Sequence, residues 1–439
     1  MTVLAYTLGV LLFVVGIAVS IGLHELGHMV PAKRFGVKVT QYFIGFGKTL
    51  WSTRRGETEY GVKVMPLGGY VKLVGMLPPG PHAEHPDKVR ASNTGMFTQL
   101  ISDARSAEYE LVSEADEDRL FYKLPWWKKV IVMAGGPTVN LLIAFVLFGV
   151  VIMVHGVPET TTTVDKVSDC VIAATAKNAD KPPRHCRASD PVAPARKAGL
   201  KPGDVLVSFN GTRVTTWDQL TRQIRANNDG AATLVVNRDG KRLTLHTNTT
   251  VSARPESEAH LDKIVQVGFL GVTPTWRNVK HGPGFVVSTM VDDTGRTLQA
   301  LGQFPVKLWH VGRAALGLEQ RQSDSPMSVV GASRVAGSVA SNHTIAVSDR
   351  LFGLLGLLAG LNLFLGLFNF VPLLPLDGGH IAGALYEALR RGVARLLRRP
   401  DPGYFDTAKL LPVAYAMAVV ILLMSVVLIY ADIVVPVQS

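Results

Sequence analysis

The chain has 439 residues, 47% of them hydrophobic and 18% charged, with a formal net charge of +11. That apolar balance excludes an ordinary soluble protein of this size and fits a small helical bundle with one or two globular inserts. No basic-aromatic recognition motif points to nucleic acid, so the positive charge reads as juxtamembrane Lys and Arg facing anionic lipid. The first element, Val3 to Leu23, is uncharged and apolar, long enough to cross a bilayer as a helix. No Lys or Arg precedes it, and it runs into a polar motif instead of a small-residue cleavage site, so it reads as a retained span rather than a signal peptide.

That motif is His24-Glu25-Leu26-Gly27-His28. On a helix His24 and His28 share a face one turn apart, so both imidazoles reach one tetrahedral metal with Glu25 beside it as a base. Ionisable groups at the end of a span are costly and usually functional.

The expected organisation is a first span over residues 1–29, a cytoplasmic loop over 30–129, and a second span over 130–155. An outer region follows over 156–277, then a membrane-surface connector over 278–350 and a third span over 351–380. A basic loop over 381–409 and a fourth span over 410–432 complete the order. Val37 to Met76 is rich in Gly, Val and Tyr with turns at Arg55-Gly56 and Pro66-Leu67-Gly68-Gly69, which predicts short β-hairpins. A hairpin dipping into the membrane at Tyr42–Phe46 and a plain surface hairpin both fit. Pro78 to Pro86 reads as a linker, and Asp103 to Arg119 as an acidic, solvated segment, helical or partly disordered. Lys123, Lys128 and Lys129 precede the second span, and Arg390, Arg391, Arg395, Arg398, Arg399 and Lys409 lie between the last two. By the positive-inside rule these loops are cytoplasmic, so both termini and the long insert are extracytoplasmic in a multi-pass inner or plasma membrane protein.

Within the outer region, Ala198 to Leu206 is a turn feeding a strand. Asn210-Gly211 is a turn, Trp217 to Ala226 a helix, and Thr233–Asn237 with Arg242–Thr247 a hairpin across Asp239-Gly240. This order resembles a PDZ domain, which adds peptide strands to a sheet edge; a PDZ-shaped spacer that binds no peptide is the alternative. Cys170 and Cys186 fit a disulfide, if this region faces an oxidising compartment, as well as they fit two independent thiols. Leu298 to Leu318 is an amphipathic helix that either lies on the membrane surface or packs on the bundle.

The third span ends in Asn369-Phe370-Val371-Pro372-Leu373-Leu374-Pro375-Leu376-Asp377-Gly378-Gly379. The prolines break or kink the helix and the two glycines end it, which places Asp377 on bent backbone at a depth similar to His28. A catalytic zinc site takes three protein ligands and keeps a position open, and His24, His28 and Asp377 meet that count. His380 as a fourth ligand would close the site, so it reads as a supporting or structural residue. Gly356 and Gly360 read as helix packing.

Together these residues, with Ala134-Gly135-Gly136-Pro137 and Asn140 opening the second span, resemble the site-2 proteases. Those are intramembrane zinc metalloproteases, here of the bacterial RseP type with one PDZ domain, and the likeness covers nearly the whole chain. The fold implied is an α-helical polytopic membrane protein of about four spans, with membrane-associated β-hairpins and an inserted extracytoplasmic α+β PDZ domain. The resemblance makes His24, His28 and Asp377 the Zn2+ ligands and Glu25 the general base. Asn369 would steady the substrate backbone or the developing oxyanion; an interhelical hydrogen bond is its other reading. For Asn140 a functional role is weaker still, since Gly-Gly-Pro followed by Asn also serves tight helix packing. The implied partners are the bilayer and single-span protein substrates, such as pre-trimmed anti-sigma factors and remnant signal peptides. Two other functions compete with this one: a non-catalytic PDZ membrane scaffold, and a metal transporter, which the lack of a continuous polar pathway disfavours.

Overall fold

The computed structural model describes residues 2–78, 114–175, 184–257, 260–322 and 324–437. Among these, four helices are long and apolar enough to cross a membrane: Val3–Arg34, Trp126–His155, Val347–Asn369 and Thr407–Val434. The chain divides into two compact units, one of residues Met1–Val154 with His281–Ser439, the other His155–Lys280.

In the first unit, α1 (Thr2–Arg34) carries the His-Glu-x-x-His motif and continues past its expected end at residue 29. Lys33 and Arg34 occupy its last turn, where cations suit the helix dipole. Pro31 lies inside it and lacks an N–H, so the Gly27 carbonyl loses its usual helical donor. Gly135 of α2 (Trp126–Val150) packs against that carbonyl, and a Cβ on Gly27 would come within 2.5 Å of the Gly135 carbonyl oxygen. The two helices therefore meet backbone to backbone.

After the first span, β1 (Val39–Arg55) pairs with β2 (Thr58–Leu73), and Gln41–Ile44 are bonded on both sides, to Gly69–Lys72 and to Glu59–Val62, so the two strands fold over each other. Gly45 and Gly47 sit at positive φ within β1, and repeated register shifts around them bend the ladder instead of ending it. The base of the hairpin packs on α1 and α2 through Met29, Val37, Val39, Leu73, Val132 and Met133. Tyr42 ties it to α1 by donating to the Gly22 carbonyl at 2.7 Å. Most of the expected linker, and residues 103–113 of the acidic segment, lie outside the described residues. Glu114–Arg119 forms a short 3-10 turn.

The expected third span and basic loop need correction. After α5 (Pro283–Ala315) and α6 (Val329–Ser341), helix α7 spans Val347–Asn369 and stops well short of the expected end at residue 380. Pro372 and Pro375 cannot donate, and each disfavours helical backbone at the residue before it. Gly378 and Gly379 then open a new helix, α8 (Asp377–Leu396), rather than ending one. They let the start of α8 fold back on the preceding turn: a Cβ on Gly379 would lie 2.6 Å from the Leu374 nitrogen. Much of the expected loop at 381–409 is therefore helical. Helix α9 (Leu411–Val434) closes the bundle. Helix α5 begins well ahead of Leu298 and packs its far end on α9, burying Val311 against Leu428 and Ala431.

The second unit is built on an antiparallel sheet of order β10-β3-β4-β6-β7. Its strands are β3 (Val157–Val167), β4 (Val205–Phe209), β6 (Ala231–Arg238), β7 (Lys241–Asn248) and β10 (Val272–Val279); the short β5 (Thr212–Arg213) pairs with β4. Helices α3 (Pro194–Lys197) and α4 (Trp217–Ala226) belong to this unit, as does a separate β8–β9 hairpin (Thr250–Ser257, His260–Phe269). Leu206, Phe209, Leu220, Leu234, Val236 and Leu270 form its core. Asn210 and Asp239 take positive φ ahead of Gly211 and Gly240, the geometry of tight hairpin turns. The buried Asp204 carboxylate accepts from both Arg238 Nε and Nη2 and from the Lys201 N–H. Burial alone would raise its pKa. The Arg238 guanidinium and the Lys201 N–H outweigh that and hold it below the ordinary carboxylate value. Cys170 and Cys186 are joined by a disulfide.

Candidate active site

Helix α1 places His24 and His28 on one face, and the start of α8 brings Asp377 to them. His24 Nε2 and His28 Nε2 are 3.3 Å apart. Asp377 Oδ2 is 3.4 Å from the first and 3.3 Å from the second. Zinc bonds of about 2.0–2.1 Å in tetrahedral geometry put ligand atoms roughly 3.3–3.4 Å apart. The three donors thus already stand at the edge lengths of one face of a zinc tetrahedron, which leaves the fourth corner for water or substrate. Among the described residues they form the group of His, Cys, Asp and Glu side chains able to share a metal ion.

The chain orients these donors in two ways. His28, 7% exposed, has Nδ1 2.8 Å from the Val132 carbonyl oxygen. Only a protonated Nδ1 can donate there, so Nε2 keeps its lone pair for the metal. Asp377 is the first residue of α8, where the helix dipole favours a carboxylate. His24 Nδ1 is buried without a hydrogen-bond partner. The Glu25 carboxylate shares the space with both imidazoles, Asp377 and the Val71 backbone. Gly69 of β2 presses on it, so β2 roofs Glu25: a Cβ there would lie 2.9 Å from Glu25 Cγ.

The other candidates fall at different places. Asn369 ends α7 and is half-buried. Asn140 is buried on α2 with its Oδ1 unpartnered. His380 lies on the first turn of α8, within electrostatic reach of Asp377 and His28.

Sequence reasoning missed three features. Gly136 lies flat against both imidazoles, where a Cβ would meet His28 Nε2 and come within 2.8 Å of His24 Nε2. Asn362, wholly buried in α7, donates to Ser20 Oγ at 3.0 Å, one turn from His24. Lys129, read from sequence as one of the basic residues ahead of the second span, is buried and pairs with Glu387 at 2.8 Å. An amide inside an apolar run was a usable signal for the second; the others needed the fold.

This is the architecture of a membrane-embedded metallohydrolase. The sequence profile of peptidase family M50 matches residues 12–397. The zinc metalloprotease Rip1 of Mycobacterium tuberculosis is 33% identical over 443 residues, covering 99% of each chain. Rip1 of Mycolicibacterium smegmatis is 31% identical over 98% of each. The metalloprotease MmpA of Caulobacter vibrioides is 28% identical over 87% of this chain and 86% of its own. The chain belongs to peptidase family M50, the site-2 proteases, and is a multi-pass membrane zinc metalloprotease.

Proposed function

We propose that the chain hydrolyses peptide bonds within the transmembrane segments of single-span proteins, with His24, His28 and Asp377 as zinc ligands and Glu25 as general base. The observation that carries this reading is the triangle of three donor atoms, 3.3–3.4 Å on a side, at the end of an apolar span. Zinc, when bound, supplies Lewis acidity toward water and the scissile carbonyl. Glu25 takes a proton from the attacking water and returns it to the leaving amine nitrogen. Asn369 donates its side-chain amide to the substrate backbone or to the oxyanion as charge develops.

An intact helix hides its carbonyls in hydrogen bonds, so the substrate unwinds before cleavage. The β1–β2 hairpin, packed over Glu25, offers a strand edge to the extended segment. We read the unit His155–Lys280 as a PDZ domain that serves as a size filter or as a reader of a trimmed end. The site lies on the cytoplasmic side and both termini outside, as the basic flanks argue. Pre-trimmed anti-sigma factors and remnant signal peptides are the substrate classes that fit.

The test compares wild type with Glu25→Gln in detergent on tagged single-span substrates, with bound zinc quantified in both. Cleavage within the span by wild type alone, with zinc retained in both, is the expected result. Undiminished cleavage by Glu25→Gln rules the mechanism out. Partner capture that needs residues 156–277 but neither His24 nor Glu25, with no cleavage, favours a scaffold.

A further inference from the structure

The proposed ligands lie on two helices, α1 and α8, and α2 touches both. At Gly136, α2 lies against the imidazoles of α1. Its Lys129, about two turns earlier and on the same face, meets Glu387 of α8. Glu387 is 1% exposed and the Lys129 side chain 8%. The Glu387 carboxylate is held on several sides: Oε2 accepts from Lys129 Nζ at 2.8 Å and from the Phe405 N–H at 3.0 Å, and Arg391 Nη1 lies 3.5 Å from Oε1. The Tyr404 ring lies under Lys129 and Arg391, 5.1 and 4.9 Å from its centroid.

A buried ion pair is a weak device for stability, since apolar residues of similar volume often hold helices as firmly. What it adds is register: two charges fix how far one helix slides along another, where apolar contacts tolerate sliding. Asp377 begins the same helix, about 15 Å along the axis from Glu387. An axial slip of α8 therefore moves the carboxylate by the same amount relative to the imidazoles.

We propose that Lys129 and Glu387 are positioning residues for the third zinc ligand: their ion pair sets the register of α8 on α2 and so delivers the Asp377 carboxylate to His24 and His28. This rests on the reading of those three residues as ligands.

The test uses the full chain in detergent and separates register from stability. In Lys129→Met/Glu387→Met both charges of the pair are gone and Arg391 keeps Asp401 at 3.3 Å, so no lone buried charge remains to unfold the protein. The expected result is a melting temperature within about 3 °C of wild type with zinc affinity, from chelator competition, weakened about 10–100-fold. Changed visible bands of the Co2+-substituted protein, which report coordination geometry, accompany that loss. A retained melting temperature with zinc affinity within about twofold of wild type and unchanged Co2+ bands overturns the proposal.

Should the double variant not fold, Glu387→Asp decides. It keeps the charge but is a methylene shorter, and weakened zinc binding in the folded protein supports the proposal while unchanged binding overturns it. Asp377→Asn run alongside distinguishes the two readings. Unchanged zinc affinity there sinks the ligand assignment itself, whereas a loss there without a loss in the pair variants sinks only the positioning role.

Discussion

Gly136→Ala adds one methyl group at the point where α2 touches the face of α1 that carries the proposed ligands His24 and His28. The new Cβ would meet His28 Nε2 and stand 2.8 Å from His24 Nε2 and Cε1, ~0.6 Å short of ordinary van der Waals contact. The His28 ring has no easy retreat. His28 is held by the Val132 carbonyl, and the α1–α2 backbones already touch at Gly27 and Gly135. The donor triangle must therefore open by several tenths of an ångström. Losses of about 10–100-fold in metal affinity accompany disturbances of this order around a site, or about 1.4–2.8 kcal/mol. The helix itself gains, since Ala is favoured over Gly by about 0.8–1 kcal/mol in a helix interior, so the metal-free protein should remain as stable as wild type or nearly so. Gly149→Ala is the matched control, on the same helix with open space around its Cβ position. The assay is zinc affinity by chelator competition and kcat/KM on a cleavable single-span substrate, alongside the melting temperature of the chelated protein. Gly136→Ala should lose zinc affinity and kcat/KM together while Gly149→Ala loses neither. Zinc affinity in Gly136→Ala within about twofold of wild type would refute the packing argument.

Asn362→Ala removes the buried hydrogen bond to Ser20 Oγ. It should cost about 0.6–1.7 kcal/mol plus a small cavity, read as a lower melting temperature that a Ser20→Ala background largely absorbs. Leu234→Ala in the sheet core, where the side chain is fully buried, should cost about 2–5 kcal/mol and raise hydrogen exchange in β4 and β6 while leaving zinc affinity unchanged. The Asp204 carboxyl has a folded pKa below its unfolded value of about 3.9. Its contribution is then full above that unfolded value and disappears as pH falls through the lower folded one. Hydrogen exchange of peptides covering Asp204 and Arg238 should rise as pH drops below about 4, after correction for the intrinsic rate, and the rise should be much smaller in Asp204→Asn. An equal rise in both proteins contradicts the assignment.

What the sequence made legible was local. His24, Glu25 and His28 lie within two turns of one helix, so their spacing alone places them on a common site. The turns at Asn210-Gly211 and Asp239-Gly240 likewise carry their own backbone requirement, and the hairpin across the second was readable from it. Asp377 was found by a count of ligands instead of by its local structure. Its helical setting was misread, because Gly378-Gly379 is a helix-ending signal unless packing against the preceding turn supplies another use for it. The partners that hold the site together were beyond local patterns. Lys129 and Glu387 are 258 residues apart, and Ser20 and Asn362 are 342 apart. No periodicity within a helix reports such pairs.

Gly136 and Gly149 show the limit most directly. Both interrupt the same apolar helix, and on propensity each simply costs stability relative to alanine. Nothing in either one's neighbours along the chain separates them. The difference lies in what faces the missing side chain: open space at Gly149, and two imidazoles at Gly136. The proposed chemistry of the site is thus written in His24, His28, Asp377 and Glu25, but its geometry depends on a position where the side chain is absent. A residue identified by what it must not carry becomes visible only when the opposing helix is in place.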